Sequence, residues 1–190
     1  MIILGIDPGL RNTGFGIIKS EKNLITYISS GIVSTLNNDT HADRLKDIFV
    51  GVQEIIAQYN PEYAVMEKVF VNNNPKTTLA LGQARGASLT AIALEKIPIL
   101  ELSSNEIKKS IVGNGHATKK QMQFMVKSLL CLNTEVCQDA SDALASAITL
   151  SHRLKLMHHD QQNPRNNCLK RSFGRYCRRR RSRLRDRDTG

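Results

Sequence analysis

The hydrophobic period changes partway along the chain, and this change constrains the fold more than any other feature. Early segments are wholly apolar or alternate with period two, as strands do, and later segments repeat every three to four residues, as helices do. The predicted strands are Ile2–Ile6, Gly14–Lys19, Leu24–Thr35, Tyr63–Glu67 and Pro98–Leu102. The predicted helices are Thr40–Tyr59, Pro75–Lys96, short helices after Ser103 and Thr118, and a last helix Gln138–Met157. The order βββαβαβααα predicts an α/β fold: a mixed sheet of three antiparallel strands and then parallel strands, flanked by helices.

The formal charge of +10 lies in the last forty residues. Residues 1–150 hold 14 Lys/Arg and 14 Asp/Glu, whereas residues 151–190 hold 13 Lys/Arg and 3 Asp. We therefore predict one domain over 1–157 and a basic, disordered tail over 158–190. A basic tail suggests a polyanionic partner without identifying one.

The sequence shows neither a recognisable targeting segment nor a metal-binding cysteine pattern. No apolar run is long enough for a membrane span, and the N-terminus does not resemble a signal peptide, so we expect a cytoplasmic protein without a membrane partner. The cysteines form no CxxC pair and are expected to be free thiols. Four side chains in the tail match no zinc pattern and are interpreted as non-ligands: His158, His159, Cys168 and Cys177.

Four carboxylates stand where elements begin or end. Asp7 follows the first strand and Glu67 ends another, so both would lie at one sheet edge if these strands are parallel neighbours. Asp139 and Asp142 are three residues apart at the start of the last helix and share a face. Gathered together, such hard oxygen ligands suit Mg²⁺ or Mn²⁺, and two ions about 4 Å apart can promote phosphodiester hydrolysis.

Three of the four acids also have a simpler interpretation, whereas Glu67, at the end of an apolar strand, is harder to explain otherwise. Asp7 precedes Pro-Gly and is a typical turn residue, and Asp139 and Asp142 would favour the helix dipole. Periodicity alone does not show that the four acids meet.

Several segments together resemble one known family. LGIDPGLRNTGFGII, VMEKVF, ALGQARG, NEIKKSIVGNGHATKKQMQFMV and QDASDALASAI are similar to the bacterial crossover junction endodeoxyribonucleases of the RuvC family, in unbroken order from Met1 to about Leu156. The resemblance implies an RNase H-like fold and a homodimer. It implies resolution of four-way (Holliday) DNA junctions by paired symmetric nicks, in homologous recombination and DNA repair. It also implies cooperation with a branch-migration helicase complex.

The resemblance assigns roles to particular residues. The four acids match the family's metal-binding catalytic acids, which implies Mg²⁺, two ions per subunit, with Mn²⁺ as a substitute. Phe70 falls where the family carries an aromatic side chain that stacks on bases, although a core position is the alternative. Lys108 and Lys119 match basic positions near the scissile phosphate, and Lys109 and Lys120 add neighbouring charge. The helix Pro75–Lys96, rich in small residues, either forms the dimer contact or packs on its own sheet.

Three other functions compete with junction cleavage. One is an RNase H-like nuclease acting on RNA, and another is a non-catalytic junction-binding module. A phosphotransferase, suggested by DPGLRNTG, would need a second large domain that 190 residues do not allow. The Arg-rich tail exceeds what the family usually carries; it either strengthens non-specific DNA binding, is neutral, or is a frameshifted end.

Overall fold

The computed structural model describes residues 1–22, 24–36, 39–68 and 74–162, with side chains up to residue 157. Met1–His152 form one compact unit, and Arg153 begins a second. The strands are β1 Ile2–Asp7, β2 Asn12–Glu21, β3 Leu24–Ser34, β4 Tyr63–Glu67 and β5 Ile99–Leu102. The helices are α1 His41–Tyr59, α2 Pro75–Leu94, α3 Ser104–Val112, α4 Lys119–Leu129 and α5 Gln138–Gln162.

The five strands form one mixed sheet in the order β3-β2-β1-β4-β5. The first three strands pair antiparallel, and β4 and β5 run parallel to β1. The predicted fold class and element order are confirmed.

Capping residues determine where the helices start. Thr40 accepts a hydrogen bond from the backbone N–H of Asp43, so α1 begins one residue after the predicted position. Ser103 with Glu106 forms a capping box at the start of α3, as the sequence predicts. At the other end of α3, Gly113 has φ 81°, a left-handed conformation that glycine adopts without strain.

The two faces of the sheet are covered differently. On one face, Leu4, Ile17 and Met66 join a buried cluster with Val52 of α1 and Ile92 of α2. On the other face lies α5, whose buried residues include the following: Ala140, Ala143, Leu144, Ala147 and Ile148. The sheet is therefore the middle layer of three within the first unit.

The predicted tail lies almost entirely outside the described residues. The structure continues α5 to Gln162, five residues beyond the predicted helix end. The Arg-rich segment, Cys168 and Cys177 lie beyond it, so the predicted boundary at residue 157 stays a prediction. No helix within the described ranges is long and apolar enough to cross a membrane.

Candidate active site

Parallel pairing of β1 with β4 brings two acids together. Ile6 pairs with Met66 at the end of the β1–β4 ladder, and the next residues along the two strands are Asp7 and Glu67. Neighbouring strands are about 4.8 Å apart, and residues at matching positions point to the same face. Asp7 lies two residues beyond Gly5, which faces α5, so both acids point towards the helix-covered side.

Three glycines allow α5 to approach the sheet at the backbone level. A Cβ built on Gly14, the partner of Asp7 in the β1–β2 ladder, would lie 2.2 Å from the carbonyl oxygen of Asp139. A Cβ on Gly5 would lie 2.0 Å from the carbonyl oxygen of Ala143, and one on Gly16 would lie 2.7 Å from the Leu144 side chain. No real Cβ fits at such distances. The missing side chains thus let the first turns of α5 lie directly over β1 and β2.

This approach places the third and fourth acids beside the first two. Asp139 and Asp142 lie in the first turns of α5, and both raise the pKa of Asp7 by charge repulsion. Burial is the larger cause, and together with Asp142, Glu67 and Asp139 it raises the pKa of Asp7 from its usual 3.8 to about 7. Burial also raises the pKa of Glu67 and that of Asp142. The structure therefore gathers the four predicted acids into one electrostatically coupled cluster.

Two lysines partly offset this negative charge. Lys119 lowers the pKa of Asp7, of Glu67 and of Asp142, and Lys108 lowers that of the last two. Lys119 is the first residue of α4, whose start is set by the Thr118 capping box. Lys108 is half-buried on α3. Both predicted basic residues therefore act on the acids. Lys119 is exposed, as are the neighbouring Lys109 and Lys120.

The turn that follows Asp7 is fixed by two buried threonines. The Thr13 hydroxyl donates to the Gly9 carbonyl at 2.8 Å and accepts from the Gly9 N–H at 3.3 Å. The Thr35 hydroxyl donates to the Leu10 carbonyl at 2.8 Å. Because both hydroxyls bond to the backbone, they stabilise the turn that follows Asp7.

Sequence reasoning did not anticipate Ser104. Burial raises the pKa of Glu67, and the Ser104 side chain opposes this by lowering the pKa of that carboxyl. Leu102 pairs with Glu67 in the β4–β5 ladder, so the first turn of α3 begins next to that carboxylate. In the sequence, the capping box of Ser103 and Glu106 accounts for the stretch Ser-Ser-Asn-Glu, so Ser104 had no role assigned to it. Phe70, the predicted stacking residue, lies outside the described residues.

The donor set fits a divalent cation. Four carboxylates face two lysines, which leaves negative charge that a hard cation would neutralise. Among the described residues, no three His, Cys, Asp or Glu side chains already converge as metal ligands.

Solved structures with a similar fold define the class of proteins to which this fold belongs. The Thermus thermophilus RuvC complex with Holliday junction substrate has a TM-score of 0.78 and 26% sequence identity, over 83% of this chain and 96% of that one. The yeast mitochondrial Holliday junction resolvase Ydc2 shares the fold, with a TM-score of 0.60, 13% identity, and coverage of 83% and 82%. The fold is thus that of the RNase H-like resolvases.

Sequence comparison then gives the family. The family model described as Crossover junction endodeoxyribonuclease RuvC matches residues 3–150. A relative of that name from Nitrosomonas eutropha is 52% identical over 150 residues, which cover 79% of this chain and 84% of the relative. Another, from Hydrogenovibrio crunogenus, is 51% identical over 154 residues, covering 81% and 89%. The chain belongs to the RuvC family of crossover junction endodeoxyribonucleases, as its sequence segments indicated.

Proposed function

We propose that this protein is a metal-dependent endonuclease that resolves four-way (Holliday) DNA junctions in homologous recombination and DNA repair. The observation that carries the proposal is the cluster of four carboxylates at one edge of the sheet, flanked by two lysines. Family membership and the junction complex of the Thermus thermophilus relative support the substrate. By this proposal the protein acts in the cytoplasm.

Asp7, Glu67, Asp139 and Asp142 are the proposed ligands of Mg²⁺, two ions per subunit, with Mn²⁺ as a substitute. The bound ions would activate water and stabilise the leaving oxygen of the phosphodiester. The hydrogen-bonded turn after Asp7 and the Ser104 side chain that acts on Glu67 would support two of these carboxylates.

The two lysines have a separate role in this proposal. Lys108 and Lys119 would bind the DNA backbone next to the acids and hold the scissile phosphate against their repulsion. Such phosphate contacts strengthen DNA binding but do not select a DNA sequence. Phe70 is proposed to stack on a base near the crossover.

A homodimer would supply two active sites for paired symmetric nicks. The outer face of α2 supports this assembly. Leu79 and Leu94 are 64% and 58% exposed on it, and a Cβ on Gly82 or Gly86 would meet no atom within 4 Å. Close packing of two such helices would bury this face. Cooperation with a branch-migration helicase complex is proposed on family membership alone.

Substrate selectivity tests the proposal. The protein is incubated in Mg²⁺ with a synthetic four-way DNA junction, a linear DNA duplex, and an RNA duplex of the same sequence. We expect paired symmetric nicks in the junction alone, and none in EDTA. Cutting of the RNA would favour an RNA-processing nuclease, and tight junction binding without cutting under any metal would favour a binding module.

A further inference from the structure

Helix α3 carries two of the side chains that act on the cluster of four acids. Ser104 and Lys108 lie one turn apart on this nine-residue helix, and both lower the pKa of Glu67. Helix α5 carries Asp139 and Asp142 in its first turns. The effect of the Lys108 charge on the acids therefore depends on how α3 is oriented relative to α5.

Apolar packing alone leaves the rotation of α3 about its own axis weakly defined. The buried residues of α3 are Ile107 and Ile111, both 4% exposed, which form a stripe along one side of the helix. At about 100° per residue, Lys108 lies to one side of this stripe and Ser110 lies to the other. Because apolar contacts have no preferred direction, they do little to prevent α3 from rolling about the stripe and moving Lys108 relative to the acids.

A hydrogen bond between α3 and α5 opposes this rotation. The Ser110 Oγ lies 3.1 Å from Nδ1 of His152, and both side chains are half-buried. Next to this point α5 is itself held to the sheet, because the buried hydroxyls of Ser151 and of Ser20 on β2 are hydrogen-bonded at 2.8 Å. A hydrogen bond weakens steeply when its geometry changes, so it resists a rotation that apolar contacts permit.

We propose that Ser110 and His152 are positioning residues for the cleavage reaction, because their hydrogen bond fixes the rotation of α3 and so keeps Lys108 directed at the cluster of four acids. Both side chains act through Lys108, and neither is assigned a contact with DNA or with a metal ion. This inference rests on the proposed function, in which Lys108 binds the DNA backbone next to the acids.

The test compares variants of the full chain in Mg²⁺ on a synthetic four-way junction. Ser110→Ala should cut about 10-fold more slowly, because a loss of orientation next to a reaction centre lowers rates by this order. Ser110→Thr keeps the hydroxyl and should restore the rate. The control is Thr149→Val, which removes a buried hydroxyl of α5 that donates within its own helix, to the Ala145 carbonyl at 2.8 Å. It should lower Tm without slowing cleavage.

A pair of double variants separates positioning from general stability. If Ser110 acts through Lys108, Ser110→Ala should slow cleavage by less than about twofold once Lys108→Ala is already present. His152→Ala should behave in the same way. A serine that only stabilised the fold would slow the Lys108→Ala protein by the same factor as the unmodified protein.

Junction binding gives a measurement that does not depend on cutting. With Asp7→Asn added so that the DNA stays intact, Lys108→Ala should lower the slope of log affinity against log salt by about 1. Ser110→Ala should lower this slope towards the same value, whereas Thr149→Val should leave it unchanged.

Two results would overturn the positioning role while leaving the proposed function intact. One is a Ser110→Ala protein with the unmodified cleavage rate and the unmodified salt slope. The other is a loss of rate in Ser110→Ala that multiplies with that of Lys108→Ala, which would make the hydrogen bond a general support of the fold. An unmodified chain that neither binds nor cuts the junction would instead refute the proposed function, and the positioning role with it.

Discussion

Replacing Asp7 with Asn should stabilise the metal-free protein. The carboxylate is held in a buried cluster with three other acids, and its pKa is raised from 3.8 to about 7. In the folded state the charged form is therefore disfavoured, and the amide removes that charge with little change in shape. The structure thus predicts that Asp7, a residue proposed to act in cleavage, lowers the free energy of unfolding of the metal-free protein.

The magnitude follows from the pKa. A pKa raised from 3.8 to about 7 makes folding less favourable as the pH rises between those values, because the folded state binds the proton more tightly. The cost is under about 1 kcal/mol at pH 4 and reaches about 4 kcal/mol at pH 8 as an upper limit. Relaxation of the site and the polarity of the amide reduce the expected gain from Asp7→Asn to roughly 1–3 kcal/mol at pH 8. A gain of about 2 kcal/mol would raise Tm by about 4–8 °C for a chain of this size.

Thermal unfolding followed by circular dichroism in EDTA, from pH 4 to pH 8, measures this effect. The difference in Tm between Asp7→Asn and the unmodified protein should be small at pH 4, grow towards pH 7 and then level off. Glu54→Gln, which neutralises an exposed carboxylate on α1, should show no such pH-dependent gain. A lower Tm for Asp7→Asn at pH 8 would refute the reasoning. Mg²⁺ should stabilise the unmodified protein more than the variant, since binding to the folded state raises its stability.

Three further substitutions test the supports of the site and the proposed dimer. Gly14→Ala puts a Cβ against the backbone of the first turn of α5, so cleavage should slow about 100-fold and Tm should fall, as rate assays and thermal melts would show; a wild-type rate would contradict the packing. Ser104→Ala removes the hydroxyl that lowers the pKa of Glu67 and should raise the Mg²⁺ concentration for half-maximal cutting about 10-fold, whereas an unchanged Mg²⁺ titration would show that the serine does not support the site. Leu79→Glu should shift the protein to monomers in analytical ultracentrifugation, whereas Leu24→Glu, equally exposed at 65% on β3, should not; a dimer that survives Leu79→Glu would exclude this face.

Local sequence signals were sufficient to predict the elements and the strand-end acids. Asp7 and Glu67 each end an apolar strand, and parallel pairing then determines that they meet. The capping boxes at Ser103 and Thr118 likewise fixed the starts of α3 and α4, and so the positions of the two lysines.

Contacts between distant segments could not be predicted in the same way. The approach of α5 depends on Gly5, Gly14 and Gly16 lying side by side, which only the register of β1 with β2 reveals. Ser104 meets Glu67 because β5 pairs with β4, and no local pattern marks that contact.

The most direct test of the central claim is the rate at which four single carboxamide variants cut one synthetic four-way junction in Mg²⁺. The variants are Asp7→Asn, Glu67→Gln, Asp139→Asn and Asp142→Asn, each checked for folding and for junction binding. We predict that all four bind the junction and that none produces the paired nicks of the unmodified protein. A variant that cuts at the unmodified rate would remove its residue from the proposed metal site and contradict the four-carboxylate mechanism.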